Sequence, residues 1–158
     1  MQIEYKDHRE LAWDCFEEKV HSILGKESRT SILDIGCGPE WFKDKFTSAG
    51  WNWIGLDNKP FYHNIVSNME SIPLPDDIMK CVFSCHSFEH TENPIATLRE
   101  FKRVINGSGF LFMVTPYPCL RQIFHMDKTH WFVLNEIQLI NILQKTGWNV
   151  IDQTVFKN

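Results

Sequence analysis

The stretch Ile32-Leu33-Asp34-Ile35-Gly36-Cys37-Gly38-Pro39 decides the fold. A short apolar run, Ser31–Ile35, leads directly into a Gly-x-Gly-Pro turn. Glycine reaches backbone conformations closed to other residues and lets a ligand come close to the main chain. A strand that breaks at such a turn before a helix opens many nucleotide-binding α/β folds, although a lone G-x-G is a weak signal. The residues that follow supply the helix. Trp41, Phe42 and Phe46 fall on one side of a segment from about Glu40 to Ala49, which Gly50 ends.

Outward from this unit the alternation continues. Trp51–Leu56 reads as a second strand, Asn64–Ser67 as a short third, and Met79–Cys85 as a fourth buried on both faces. Asn93 caps a helix with Pro94 at its first position. Asn106–Gly109 reads as a turn and Phe110–Thr115 as a fifth strand. Residues 116–133 are irregular and rich in His, Pro and aromatic side chains. Asn135 with Gln138 forms a capping box for a helix that Gly147 stops, and Trp148–Phe156 reads as a last strand. Before the first strand, Ala12, Trp13, Phe16, Val20, Ile23 and Leu24 recur at helical spacing within residues 6–24.

Strands alternating with helices imply an α/β fold with a Rossmann-like, mostly parallel sheet and flanking helices. One domain over residues 1–158 is expected, with an N-terminal helix and loop (1–30), a core (31–115), a loop (116–133) and a last helix and strand (134–158). Ligands of such sheets bind beyond the carboxyl ends of the strands. Asp57, at the end of the second strand, is placed to accept hydrogen bonds from ribose hydroxyls.

Composition sets the outer limits. The 158 residues are 43% hydrophobic and 23% charged, which excludes wholesale disorder. A net charge of −4 argues against non-specific nucleic-acid binding, which needs clustered Lys and Arg. No apolar run reaches the roughly 20 residues that cross a bilayer, and the polar start Met1–Asp7 does not resemble a signal peptide. A cytoplasmic protein that binds neither nucleic acid nor membrane is therefore expected. Five cysteines without framework spacing read as core thiols in a reducing compartment. Cys81 and Cys85 stand four apart rather than in C-x-x-C, and no metal site is expected.

The ordered motifs resemble those of class I S-adenosylmethionine-dependent methyltransferases. Asp34-Ile35-Gly36-Cys37-Gly38-Pro39 is similar to the family's first motif, and Ile54-Gly55-Leu56-Asp57 continues it. Asn68-Met69-Glu70-Ser71-Ile72-Pro73-Leu74-Pro75-Asp76-Asp77 resembles its D-A-x-x-L-P-F-x-D segment. Cys81–Ser84 with Phe88-Glu89-His90 looks like its fourth strand and L-E-H, and Arg103–Gly109 stands where R-V-L-K-P-G-G is usual. The matches span residues 32–115 in order.

The resemblance implies S-adenosyl-L-methionine as cofactor. It places Gly36, Cys37 and Gly38 beside the methionine part, with Asp34 supporting the turn or reaching the ammonium group through water. It gives Asp57 the ribose, puts Asn58 beside the adenine, Asn68 and Met69 at the ring edge, and Cys85 and His86 near the methionine end. Three departures stand out. Glu40 occupies the usual third glycine position, where its charge repels the cofactor's carboxylate unless it turns outward or pairs with the ammonium group. Only Asn58–His63 separate the second and third strands, too few for a crossover helix. The final antiparallel hairpin is incomplete, which leaves a sheet edge that a homodimer could cover.

For the acceptor side, histidine suits a base near neutral pH. His86 is the first choice, with His125 and His130 as the others; His90 reads as a helix-start residue. The Thr115-Pro116-Tyr117-Pro118 loop with the following His and Asp resembles a branch of small methyltransferases acting on glycan-type or small-molecule acceptors. The aromatic segment 116–132 is expected to close over His86. The alternatives are a non-catalytic cofactor-binding or scaffold module with the same fold, and a nicotinamide-dependent oxidoreductase. The latter is disfavoured by G-x-G-P in place of G-x-G-x-x-G.

Overall fold

In the computed structural model of the chain, residues 7–24, 29–118 and 128–155 are described. Strands β1 (Ser31–Ile35), β2 (Asn52–Asp57), β3 (Ile65–Val66), β4 (Met79–Cys85) and β5 (Ile105–Val114) combine with helices α1 (His8–Leu24), α2 (Lys43–Ser48), α3 (Pro94–Val104) and α4 (Glu136–Lys145). The sheet order is β3-β2-β1-β4-β5, and each neighbouring pair is parallel. The order reverses between β1 and β4, so the ligand crevice of this fold lies beyond Ile35 and Cys85.

Alternation along the strands feeds two cores. Leu33, Ile35 and Val82 pack with Leu98, Phe101 and Val104 of α3 and Leu143 of α4. Ile32, Cys81 and Phe83 face the other way, onto Phe16 and Val20 of α1 and Phe46 of α2. Phe83 stacks on Phe112 with ring centroids 5.5 Å apart, and Phe16 and Phe46 meet Phe83 edge-on at 5.3 Å and 5.0 Å. Covered on both faces, β4 is buried from Met79 to Ser84. The rigid central strands thereby fix the positions of the loops that follow them.

The expected caps form. Asn93 Oδ1 accepts from the Ala96 N–H at 3.1 Å, and Asn135 and Gln138 bond each other's backbone N–H at 3.0 Å. The helix after β1 starts only at Lys43, because Gly38 and Glu40 take positive φ (53° and 62°) and hold the chain out of the helical region. β2 and β3 pair in parallel through the short link expected from the sequence, and β3 shrinks to two residues.

Two expectations are corrected. Asn106–Gly109 is not a separate turn but an irregular part of β5. Five residue steps on β5 (Ile105 to Phe110) face two on β4 (Met79 to Cys81), so the excess residues bulge. Gly109 permits this, since a Cβ there would lie 2.7 Å from the Lys80 carbonyl oxygen. The last strand also fails to form: residues 148–155 join no ladder, and Ile151 is 72% exposed. Asp152 instead pairs with Lys19 of α1 (Nζ to Oδ2, 2.7 Å), so this part of the segment lies beside the helix.

Candidate functional site

The glycine turn is held by main chain on both sides. Gly36 and Cys37 donate to the Leu56 carbonyl at 2.8 Å and 3.2 Å, which ties the turn to the end of β2. Gly36 and Gly38 adopt φ of 68° and 53°, a region unfavourable to side-chain-bearing residues. A Cβ at Gly36 would sit 2.4 Å from the Ser87 Cβ. Ser87 lies just past β4, donates to the Ile35 carbonyl at 2.9 Å and shares a 2.7 Å hydrogen bond with Ser84. The turn is thus wedged between β2 and the residues after β4, at the switch point.

Asp57 closes one side of the turn. Its Oδ2 accepts the Gly38 N–H and its Oδ1 the Lys59 N–H, both at 3.0 Å. A carboxylate has about four acceptor sites, so two remain for other donors such as a pair of vicinal hydroxyls. Asp34 sits beneath, 2% exposed, and accepts from Trp53 Nε1 at 3.2 Å. Burial pushes its carboxyl up to about 7, against the Trp53 hydrogen bond and aided by the Asp57 charge. Asp34 therefore supports the turn from below. Burial likewise pushes the Cys37 and Cys85 thiols up to about 12, so both are protonated packing groups at neutral pH.

Glu40 turns aside. Its carboxylate meets Lys43 Nζ at 2.7 Å and the His63 N–H at 2.5 Å. Burial works to raise its pKa, but these hydrogen bonds from Lys43 and His63 outweigh it and hold the carboxyl below its ordinary value. The contact pins the short β2–β3 link to the start of α2. Glu40 is thus a clamp, with its charge balanced away from the centre of the turn.

Asn58 and Asn68 are exposed, and Met69 is half-buried against the core. Two residues assigned no role from sequence shape this edge. Glu70 accepts from Thr91 Oγ1 and from the Glu92 and Asn93 N–H groups at 2.9 Å and 3.0 Å, anchoring the loop to the start of α3. Arg103 donates to the Ile72 and Leu74 carbonyls at 2.8 Å and to Asp76 and Glu100 at 2.7 Å. Asn68–Asp77 is therefore a stiff rim. A basic residue facing acids across the loop was the available signal.

Across the switch point lies a second cluster. His86 has φ of 51°, a conformation uncommon for a non-glycine residue, and its N–H donates to the Val114 carbonyl at 2.9 Å. Its Nδ1 lies 3.5 Å from Glu89 Oε1, and its ring meets His8 edge-on at 4.8 Å. Arg9 stacks over Trp41 at 4.0 Å, so the start of α1 lines the same mouth, which the sequence reading did not foresee. His130 approaches Glu89 Oε1 (Nε2, 4.0 Å), and its ring lies 4.7 Å from that of His90. The Trp131 N–H donates to the Glu89 carbonyl at 2.9 Å, and Phe132 packs on Phe88. The end of segment 116–132 thus docks on the turn Phe88–His90. His125 lies outside the described residues, as does 119–127 of that segment.

Comparison with known proteins accords with this geometry. A methyltransferase-domain family model matches residues 5–153. A malonyl-[acyl-carrier protein] O-methyltransferase of Erwinia pyrifoliae is 30% identical over 124 residues, covering 70% of this chain and 46% of that protein. The chain thus spans about half the length of that curated relative. Among solved structures, an Archaeoglobus fulgidus SAM-dependent methyltransferase superposes with a TM-score of 0.71 at 23% identity, covering 88% of this chain and 68% of its own. The [4+2]-cyclase SpnF superposes with a TM-score of 0.69 at 17% identity, covering 88% and 58%. These structural likenesses concern the fold. Among the described residues no helix is long and apolar enough to cross a membrane.

Proposed function

The chain belongs to the methyltransferase-domain family, and we propose that it transfers a methyl group from S-adenosyl-L-methionine to a small-molecule or glycan-type acceptor. The observation that carries this reading is Asp57: a carboxylate with free acceptor sites, tied to the Gly38 N–H at the switch point. The residues fit the cofactor chemically. Asp57 suits the ribose hydroxyls, the Gly36–Gly38 backbone the amino-acid part, and the Asn68–Met69 rim with Asn58 the adenine edge. The clamped Glu40 removes the repulsion that its position implies. When bound, the cofactor supplies an electrophilic methyl carbon. The chain's part is to hold donor and acceptor in line and exclude water, an alignment worth several kcal/mol, up to about 7–11.

His86 is the proposed base, because it stands just past β4 on the same side of the sheet as the turn. Its Nδ1 lies on the Glu89 side, 3.5 Å from Oε1, which leaves Nε2 to accept an acceptor's proton. The start of α1 and the docked residues 128–132 supply walls. Turnover against a panel of hydroxyl and carboxyl acceptors tests the assignment. His86→Ala is expected to lower turnover by about 10²-fold or more while S-adenosylmethionine affinity stays within about twofold. Unchanged turnover in His86→Ala would remove His86 from the role.

A further inference from the structure

Glu89 is 1% exposed, yet among the described residues its Oε2 has no hydrogen-bond partner. Among the described residues its other oxygen has contacts of 3.5 Å to His86 and 4.0 Å to His130, long for hydrogen bonds. A buried carboxylate left this way is costly unless a cation compensates it. No Lys or Arg ion pair reaches it among the described residues. Around it, one ligating atom each from Glu89, His90 and His130 lies within 4.8 Å of the other two.

We propose that Glu89, His90 and His130 bind a divalent first-row transition-metal ion. The spacing can close onto one: metal–ligand bonds of about 2.0–2.2 Å in tetrahedral geometry put donor atoms roughly 3.3–3.6 Å apart, reached here by side-chain movements of about 1 Å. The donor set, two imidazoles and a carboxylate, suits Zn²⁺ and Fe²⁺ rather than Mg²⁺ or Ca²⁺. The surroundings also resemble those of a ligand. His90 Nδ1 lies 3.1 Å from the Thr129 carbonyl, which fixes the tautomer with the proton on Nδ1 and leaves Nε2 free to coordinate. The Trp131-to-Glu89 backbone hydrogen bond brings His130 to the pair despite 40 residues of separation. Three protein ligands leave at least one position open for a further ligand. The site departs from the sequence reading, which expects no metal. It does not depend on methyl transfer, because the ion is held without cofactor.

The test is a Co²⁺ titration of the untagged full chain, without cofactor, followed by visible absorption. One equivalent should bind, with the ligand-field bands of an imidazole–carboxylate site, and Zn²⁺ should displace it. His90→Ala and His130→Ala should each weaken Co²⁺ at least tenfold, whereas His21→Ala, on the exposed side of α1, should match the wild type. Glu89→Gln gives a second readout. Zn²⁺ should raise the melting temperature of the wild type but not of this variant, which calorimetry of the apo form shows to be folded or not. Absence of Co²⁺ binding, or binding of undiminished strength in the His90→Ala/His130→Ala double variant, overturns the proposal. S-adenosylmethionine affinity measured on the same samples is independent of either outcome.

Discussion

The two sides of the switch point are built differently. The glycine side, from Gly36 to Asp57, is held mostly by backbone: left-handed glycines, N–H groups on the Leu56 carbonyl, and one carboxylate accepting from the loop. The opposite side, around Glu89, is anchored by two backbone hydrogen bonds, His86 to Val114 and Trp131 to Glu89, but is lined by side chains that converge from α1, the end of β4 and the segment after β5. A backbone site tolerates little change at its glycines and varies little in chemistry. A side-chain site can be rebuilt residue by residue. We propose that the first side serves the shared part of the reaction and the second the particular acceptor.

If the glycine side depends on backbone conformation, Gly36→Ala should have the largest effect. The positive φ and the 2.4 Å approach to Ser87 together should cost about 4 kcal/mol in urea unfolding. A neutral substitution would break the contrast, since the turn would then yield as easily as the side-chain cluster.

Next in size is a pH effect from the carboxyl beneath the turn. Burial raises Asp34 from an ordinary 3.8 to about 7 in the folded chain. The folded state then binds an extra proton between these values, so this contribution to stability is complete below about pH 4 and is lost as pH rises to about 7. Its full size is about 4 kcal/mol, of which about 3 kcal/mol falls between pH 5 and 8. Asp34→Asn keeps an acceptor for Trp53 and should flatten stability across pH 5–8. An unchanged slope in that variant would show that the pH dependence comes from elsewhere.

The smallest effect should come from Glu40. Glycine there would relieve the positive φ but release the Lys43 and His63 contacts. The opposing changes should leave the melting temperature within about 4 °C of the wild type. A larger drop would show that the clamp on the β2–β3 link governs the glycine side as much as the turn does.

Legibility in the sequence followed the same division. The β1 turn, Asp57 and both helix caps depend on residues close in sequence, so their patterns were readable. For Asp34 the sequence left two roles open, supporting the turn or reaching the ammonium group, because burial beneath a turn depends on Trp53 in the next strand. Glu89 went unnoticed beside His90. Its importance comes from His130 and His86, and nothing local signals that a carboxylate will be buried without a partner. Trp148–Phe156 carries strand-like residues, but pairing is a property of a neighbour. The Lys19–Asp152 contact, between residues 133 positions apart, places Asp152 beside α1 instead.

The central claim is that the glycine side holds S-adenosylmethionine through Asp57. Titration calorimetry of the wild type and of Asp57→Ala with S-adenosylmethionine tests it most directly. The account predicts saturable one-site binding to the wild type and affinity at least about tenfold weaker in the variant, from lost charge-assisted hydrogen bonds of roughly 1.5–3 kcal/mol. No binding to the wild type, or equal affinity in the two proteins, would contradict it.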